Sequence, residues 1–136
     1  MQPQTDPDVP EPLRRELRGE LAAARALPDA DRIHDAEVAL GTGGTPWPDA
    51  TPAARQARLA AAMRALLHHR RPQSTICPSD AARVAAGPSW RDAMDTARAV
   101  AADLSRRGII TVRQHGADVD ITTATGPIRL ARGPAW

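Results

Sequence analysis

The arginines of the C-terminal half are the side chains with the most explicit chemistry. Arg91, Arg98 and Arg106 recur at seven and eight residues, close to whole helical turns, so one helix presents them on neighbouring flanks. Arg113, Arg129 and Arg132 follow in short stretches where apolar and polar residues alternate, the period of a half-buried strand. A guanidinium is a planar fork of donors that bridges two phosphate oxygens or the major-groove edge of guanine. The pattern therefore reads as a contact surface for double-stranded DNA, with Arg91 and Arg98 toward base edges and Arg106 near the backbone. Arg113, Arg129 and Arg132 would then meet phosphates. Asp92, Asp95 and Asp103 share the same helix and repel phosphates. The alternative is thus a protein-interaction module that uses this helix, or an N-terminal leucine helix, without DNA.

Other chemistries are poorly represented. His68 and His69 are adjacent, about 100° apart around a helix, and cannot form the i,i+4 pair that grips a metal. His34 stands among Asp31, Asp35 and Glu37, and His115 stands alone. The single cysteine, Cys77, excludes an internal disulfide and a Cys-based zinc site, and its place at a helix start marks it as structural. The run from Gly41 to Gly44 lacks the Gly-Lys-Ser/Thr ending of a phosphate loop. No nucleophile has a recognisable base beside it, so the expectation is a non-enzymatic protein with no cofactor and no small-molecule ligand.

These arginines need elements to hold them. Thr51-Pro52 is a helix entry, hydroxyl cap then proline in the first turn, and Leu59, Met63, Leu66 and Leu67 give the helix to about His69 its buried face. Cys77-Pro78-Ser79-Asp80 opens a short helix ended by Gly87-Pro88. Ser89 is placed to cap a third helix, with Asp92 as its capping-box partner. Trp90, Met94, Ala97, Ala101 and Leu104 then form its apolar stripe, with Trp90 buried. Gly108 stops that helix. Ile110 and Val112 lie on one strand, Gly116-Ala117-Asp118 turns, Val119 and Ile121 return, and Gly126-Pro127 leads to Ile128-Arg129-Leu130. Upstream, Leu13, Leu17, Leu21 and Ala24 make a stripe ended by Pro28. A second helix follows with Ile33, Ala36 and Leu40 on one face. The fold class expected is mainly α with a small β-hairpin wing: a winged helix-turn-helix preceded by two short N-terminal helices. It divides into a disordered tail at 1–9, a helical extension and Gly/Pro loop at 10–50, and a winged-helix domain at 51–136.

Charge is uneven along the chain. Residues 1–50 hold ten acids and five arginines, a net of −5; residues 51–136 hold thirteen arginines and six acids, a net of +7. A basic half that coincides with such a fold is the footprint expected of a nucleic-acid binder. Lys, Asn, Phe and Tyr are absent. These are residues with AT-rich codons, so a GC-rich coding sequence, and not selection for guanidinium, explains the all-arginine basicity. Without Phe or Tyr, base stacking is nearly unavailable, which argues against single-strand and RNA recognition. No signal peptide or membrane-spanning run is evident, so a cytoplasmic location is expected.

The string Thr75-Ile76-Cys77-Pro78-Ser79-Asp80, with Ala82-Arg83, Trp90-Arg91, Met94, Arg98, Leu104, Gly108, Ile110, Gln114, Gly116, Asp120 and Gly126-Pro127-Ile128-Arg129-Leu130, resembles the bacterial DUF3253 family over roughly residues 55–131. The resemblance implies a small winged-helix domain and no established activity. Within it, Cys77, Pro78, Trp90, Gly108 and Gly126 take structural roles. Residues 1–50 fall outside it.

Overall fold

Thr51 adopts an extended backbone and its Oγ1 accepts from the Ala54 amide at 3.1 Å, so the chain enters α3 (Pro52–His69) where the cap chemistry directs it. In the computed structural model, which describes residues 4–136, α3 is the axis of the molecule. Its Leu59, Met63, Leu66 and Leu67 are buried, and Ala61, Ala62 and Ala65 let neighbouring helices approach closely on several sides. Against it pack α1 (Glu11–Ala26), α2 (Ala30–Ala39), α4 (Pro78–Ala86) and α5 (Met94–Arg106). Three strands complete the fold: β1 (Ile110–Gln114), β2 (Ala117–Asp118) and β3 (Arg129–Arg132). The chain is thus mainly helical with a small antiparallel sheet at its C-terminal end.

The N-terminal helices belong to the same core as the rest. Leu13 and Leu17 of α1 and Ala39 and Leu40 at the end of α2 join one apolar cluster with Leu59, Met63 and Leu66. Ile33 contributes less than its position in the stripe suggested, since it stays half-buried. The expected tail at 1–9 needs correction for its described part. The Asp6 amide donates to the Leu40 carbonyl at 2.9 Å, and Val9 is buried. Val9 provides the apolar anchor and Asp6 the polar one; residues 1–3 lie outside the described residues.

The entry to α5 also differs from expectation. Ser89 does not cap it. Gly87–Ser89 is a 3₁₀ turn, and the amides of Trp90, Asp92, Ala93 and Met94 each donate to the carbonyl three residues back. Gly87, at φ +53°, and Pro88 impose this tighter winding, and the first i−4 bond into α5 runs from Ala97 to Ala93. A 3₁₀ residue advances about 120°, against about 100° in an α-helix. Trp90 is thereby rotated off the stripe of Ala97, Ala101 and Leu104 and is half-buried at the edge of the core. Gly87 itself sits under the N-terminal segment, where an added Cβ would lie 2.9 Å from the Asp8 backbone oxygen.

The sheet order is β2-β1-β3, with Ile110 opposite Arg132 and Val112 opposite Leu130. Ile76, between α3 and α4, adds a single bridge to Leu130 on the free side of β3. The β1–β2 turn is one residue earlier than expected. His115 and Gly116 occupy it, both with positive φ (52° and 81°), the backbone that two-residue hairpin turns require. The return strand is only two residues long. Asp120 ends it: its carboxylate accepts from the Thr122 amide at 2.9 Å and hydroxyl at 2.7 Å, an Asx turn that leaves the Val119 amide, donating to the Val112 carbonyl at 2.9 Å, as the last bond to β1 and turns Ile121 away. Residues 119–128 then lead back to β3, and the whole segment 115–128, β2 included, is the connection between β1 and β3.

Candidate nucleic-acid interface

Six arginines are expected at the contact surface, and the fold gives them different tasks. Arg98 reaches from α5 to the 115–128 connection, donating to the carbonyls of Ala124 at 3.1 Å and Gly126 at 3.4 Å. It fastens the wing to the helix and does not project toward a base. Arg129 donates from Nε to the Thr75 hydroxyl and from Nη2 to the Thr75 carbonyl, both at 2.9 Å. Arg132 turns inward to the C-terminal end of α3, where Nη2 donates to the Leu67 carbonyl at 2.9 Å and reaches His68 and Arg70 carbonyls at 3.5 and 3.4 Å. These carbonyls have no intrahelical partner, and a cation is favoured at the negative end of the helix dipole. Arg98, expected at base edges, and Arg132, expected at phosphates, are corrected to internal braces, and Arg129 keeps only part of its fork for a partner.

The other three remain on the surface. Arg113 pairs across β1 and β2 with Asp118 at 3.2 Å. Arg106 lies 3.4 Å from Asp103 on the exposed side of α5, and Arg107, outside the seven- and eight-residue spacing of the other helix arginines, lies 3.5 Å from the same carboxylate. Arg91 stacks on Trp90 at 4.5 Å from the ring centroid. Arg83, in the last turn of α4, stacks on the same ring at 4.4 Å and was also missed. Its signal was tertiary, since Arg83 and Trp90 are joined through a 3₁₀ turn that the residue pattern did not reveal.

Electrostatically the surface is mixed. From the end of α4 along α5 to the β1–β2 turn, Arg83, Arg91, Arg106, Arg107 and Arg113 are interleaved with Asp92, Asp95, Asp103, Asp118 and Asp120. The basic excess of the C-terminal half is partly neutralised from within. Arg58, Arg64 and Arg70 on α3 each meet a carboxylate from the acidic half: Asp6 at 2.9 Å, Asp35 at 3.0 and 2.9 Å, and Glu16 at 3.1 and 3.0 Å. Arg58 is buried and also donates to the carbonyls of Ala39 and Val84. Glu20, fully buried, takes a bidentate fork from Arg32 at 2.8 and 2.6 Å, and this bond raises the Arg32 proton affinity. The uneven charge of the two halves therefore holds the halves together, and the footprint expected of a basic surface is much reduced.

The structural residues sit as the sequence suggests, Trp90 excepted. Cys77 precedes α4, and the Asp80 carboxylate accepts from its amide at 3.0 Å; Pro78 is buried in the first turn. Gly108 ends α5 at φ +74°, and Gly126 takes φ +82° in the connection. Elsewhere His68 packs against Trp136, centroids 4.4 Å apart and ring planes tilted by 46°. Burial, then the nearby Arg32, lowers its proton affinity. Among the described residues no cluster of His, Cys, Asp or Glu is arranged to hold a metal, and no helix is long and apolar enough to cross a membrane. No curated protein matches the chain. The sequence profile of DUF3253, a family described as of unknown function, matches residues 56–133, which span α3 from its first turns through β3. The chain belongs to the DUF3253 family.

Proposed function

We propose that the chain is a winged-helix DNA-binding or regulatory module, with α5 and the 115–128 connection as its contact surface. One observation carries the reading: Arg98 ties α5 to the Ala124 and Gly126 carbonyls, so helix and wing form one preorganised unit. The element order supports it. Helix α3, the Ile76 bridge, α4, α5, β1 and β3 follow one another as in a helix-turn-helix with a hairpin appended. The contacts are Arg83 and Arg91 at the N-terminal end of α5, Arg113 at the wing, Arg106 near the backbone, and the free edge of Arg129. This is a fold-level analogy joined to a local arrangement of cations, and it requires no cofactor. A fluorescence anisotropy titration on random duplex DNA tests it. With three to four phosphates engaged, the logarithm of the binding constant should fall against the logarithm of salt with a slope of about −3 to −4. Binding weaker than about 100 μM at low salt overturns the reading.

A second reading is a protein-interaction module, favoured by the interleaved aspartates. It has a groove of about 420 Å³ between α3 and α5, with Ala57, Ala60, Val100 and Leu104 in its lining and Asp103 and Arg107 beside them. The N-terminal leucine helix does not supply that surface, because Leu13 and Leu17 are buried in the core.

A further inference from the structure

Arg83 and Arg91 stand apart from the other cations of the α5 surface. Arg106, Arg107 and Arg113 each lie within 3.5 Å of a carboxylate oxygen. Neither the Arg83 nor the Arg91 guanidinium has an ion-pair or hydrogen-bond partner among the described residues, although Asp92 follows Arg91 directly. Both guanidiniums lie over the Trp90 ring, 4.4 and 4.5 Å from its centroid, so the two cations share one indole. Stacking engages the flat face of a guanidinium and leaves the N–H edge open. It also restrains two long side chains that would otherwise lose rotamer freedom on binding. Two like charges held on one ring without a counter-charge repel each other, and an oxyanion at the rim of the ring, within reach of both forks, relieves that repulsion.

We infer that Arg83, Trp90 and Arg91 form a phosphate clamp that grips a backbone phosphodiester of DNA at the N-terminal end of α5. The inference rests on the DNA reading for its ligand, and on the stacked, unpartnered pair for its location. The clamp orients the module without reading sequence, because a phosphodiester is the same at every step. Trp90 is a positioning residue: its indole holds the two forks and donates nothing to the phosphate.

The test uses the full chain, the double variant Arg83→Ala/Arg91→Ala and the single variant Arg83→Lys. Both clamp side chains are exposed, so circular dichroism should be unchanged. On random duplex DNA at low salt the double variant should bind about tenfold more weakly, equally for all sequences, with a salt slope flatter by about 1. Arg83→Lys should bind more weakly than wild type, since a lysine has the charge but not the stacked fork. If the wild type binds DNA and the double variant keeps the same affinity and slope, the clamp is overturned while the DNA reading stands. If the wild type does not bind DNA, the DNA reading falls. The clamp is then judged on inorganic phosphate titrated at constant ionic strength, observed through the NMR signals of the Arg83 and Arg91 Nε–H and Trp90 Nε1–H groups. Saturable shifts confined to these groups support a phosphate site. Their absence up to about 10 mM, weaker than the millimolar affinity of a simple anion site, overturns it.

Discussion

Arg132 distinguishes a brace from a contact, and its replacement has a calculable outcome. Its Nη2 donates to the Leu67 carbonyl at 2.9 Å; the bonds to His68 and Arg70 at 3.5 and 3.4 Å are long and add little. One good charge-assisted bond contributes about 1.5–3 kcal/mol. A cation at a helix C-terminus adds about 0.3–1 kcal/mol. The side chain is half-buried, so water reaches part of the vacated space and recovers some of this. Arg132→Ala should therefore cost about 2–3 kcal/mol. For a chain of this size about 3 °C of melting temperature corresponds to each kcal/mol, so thermal unfolding should shift down by about 6–9 °C. Arg132→Lys should recover about a third of the loss, keeping the charge at the helix end without the fork. The slope of DNA affinity against salt should not move, because no phosphate has lost its partner. A variant that melts within about 1 °C of wild type and has a slope flatter by about 1 would refute the argument and return Arg132 to the contact surface.

The buried pair in the N-terminal half should be more costly to break. Glu20→Ala leaves the Arg32 fork without a partner beside the core, and urea unfolding should report a loss of about 3–5 kcal/mol, whereas replacing both residues with Leu should be far less damaging. His68 gives a pH signature: its folded proton affinity lies below the ordinary value of 6.5, so below that pH the unfolded chain takes up the proton first. Stability should be unaffected by His68 above about pH 6.5 and should fall as pH drops toward 5.5. His68→Gln should remove that part of the decline, and Arg132→Ala should reduce it, because the Arg132 charge contributes to the lowering.

The sequence by itself determined what depends on neighbours in the chain. Thr51-Pro52 opens α3, Cys77-Pro78 with Asp80 opens α4, and Gly108 ends α5, because capping and φ preference act over three or four residues. The apolar stripes of α1 and α3 were legible for the same reason. So was DUF3253 membership, carried by local strings such as Ile-Cys-Pro-Ser and Gly-Pro-Ile-Arg. Tertiary structure decided what the arginines do. Arg98 finds its carbonyl 26 residues away and Arg132 finds one 65 residues away, and both acceptors are main-chain groups that any residue type supplies. The α3 arginines meet their carboxylates across 52, 54 and 29 residues, so a charge difference that looks like a binding surface along the chain closes on itself in space. Trp90 left the apolar stripe for a related reason. The winding between Gly87 and Ala93 changes from 3.6 toward 3.0 residues per turn where α4, the N-terminal segment and α5 meet. A hydrogen-bond donor is visible in a sequence, but its acceptor is chosen by the packing that brings distant backbone within 3 Å.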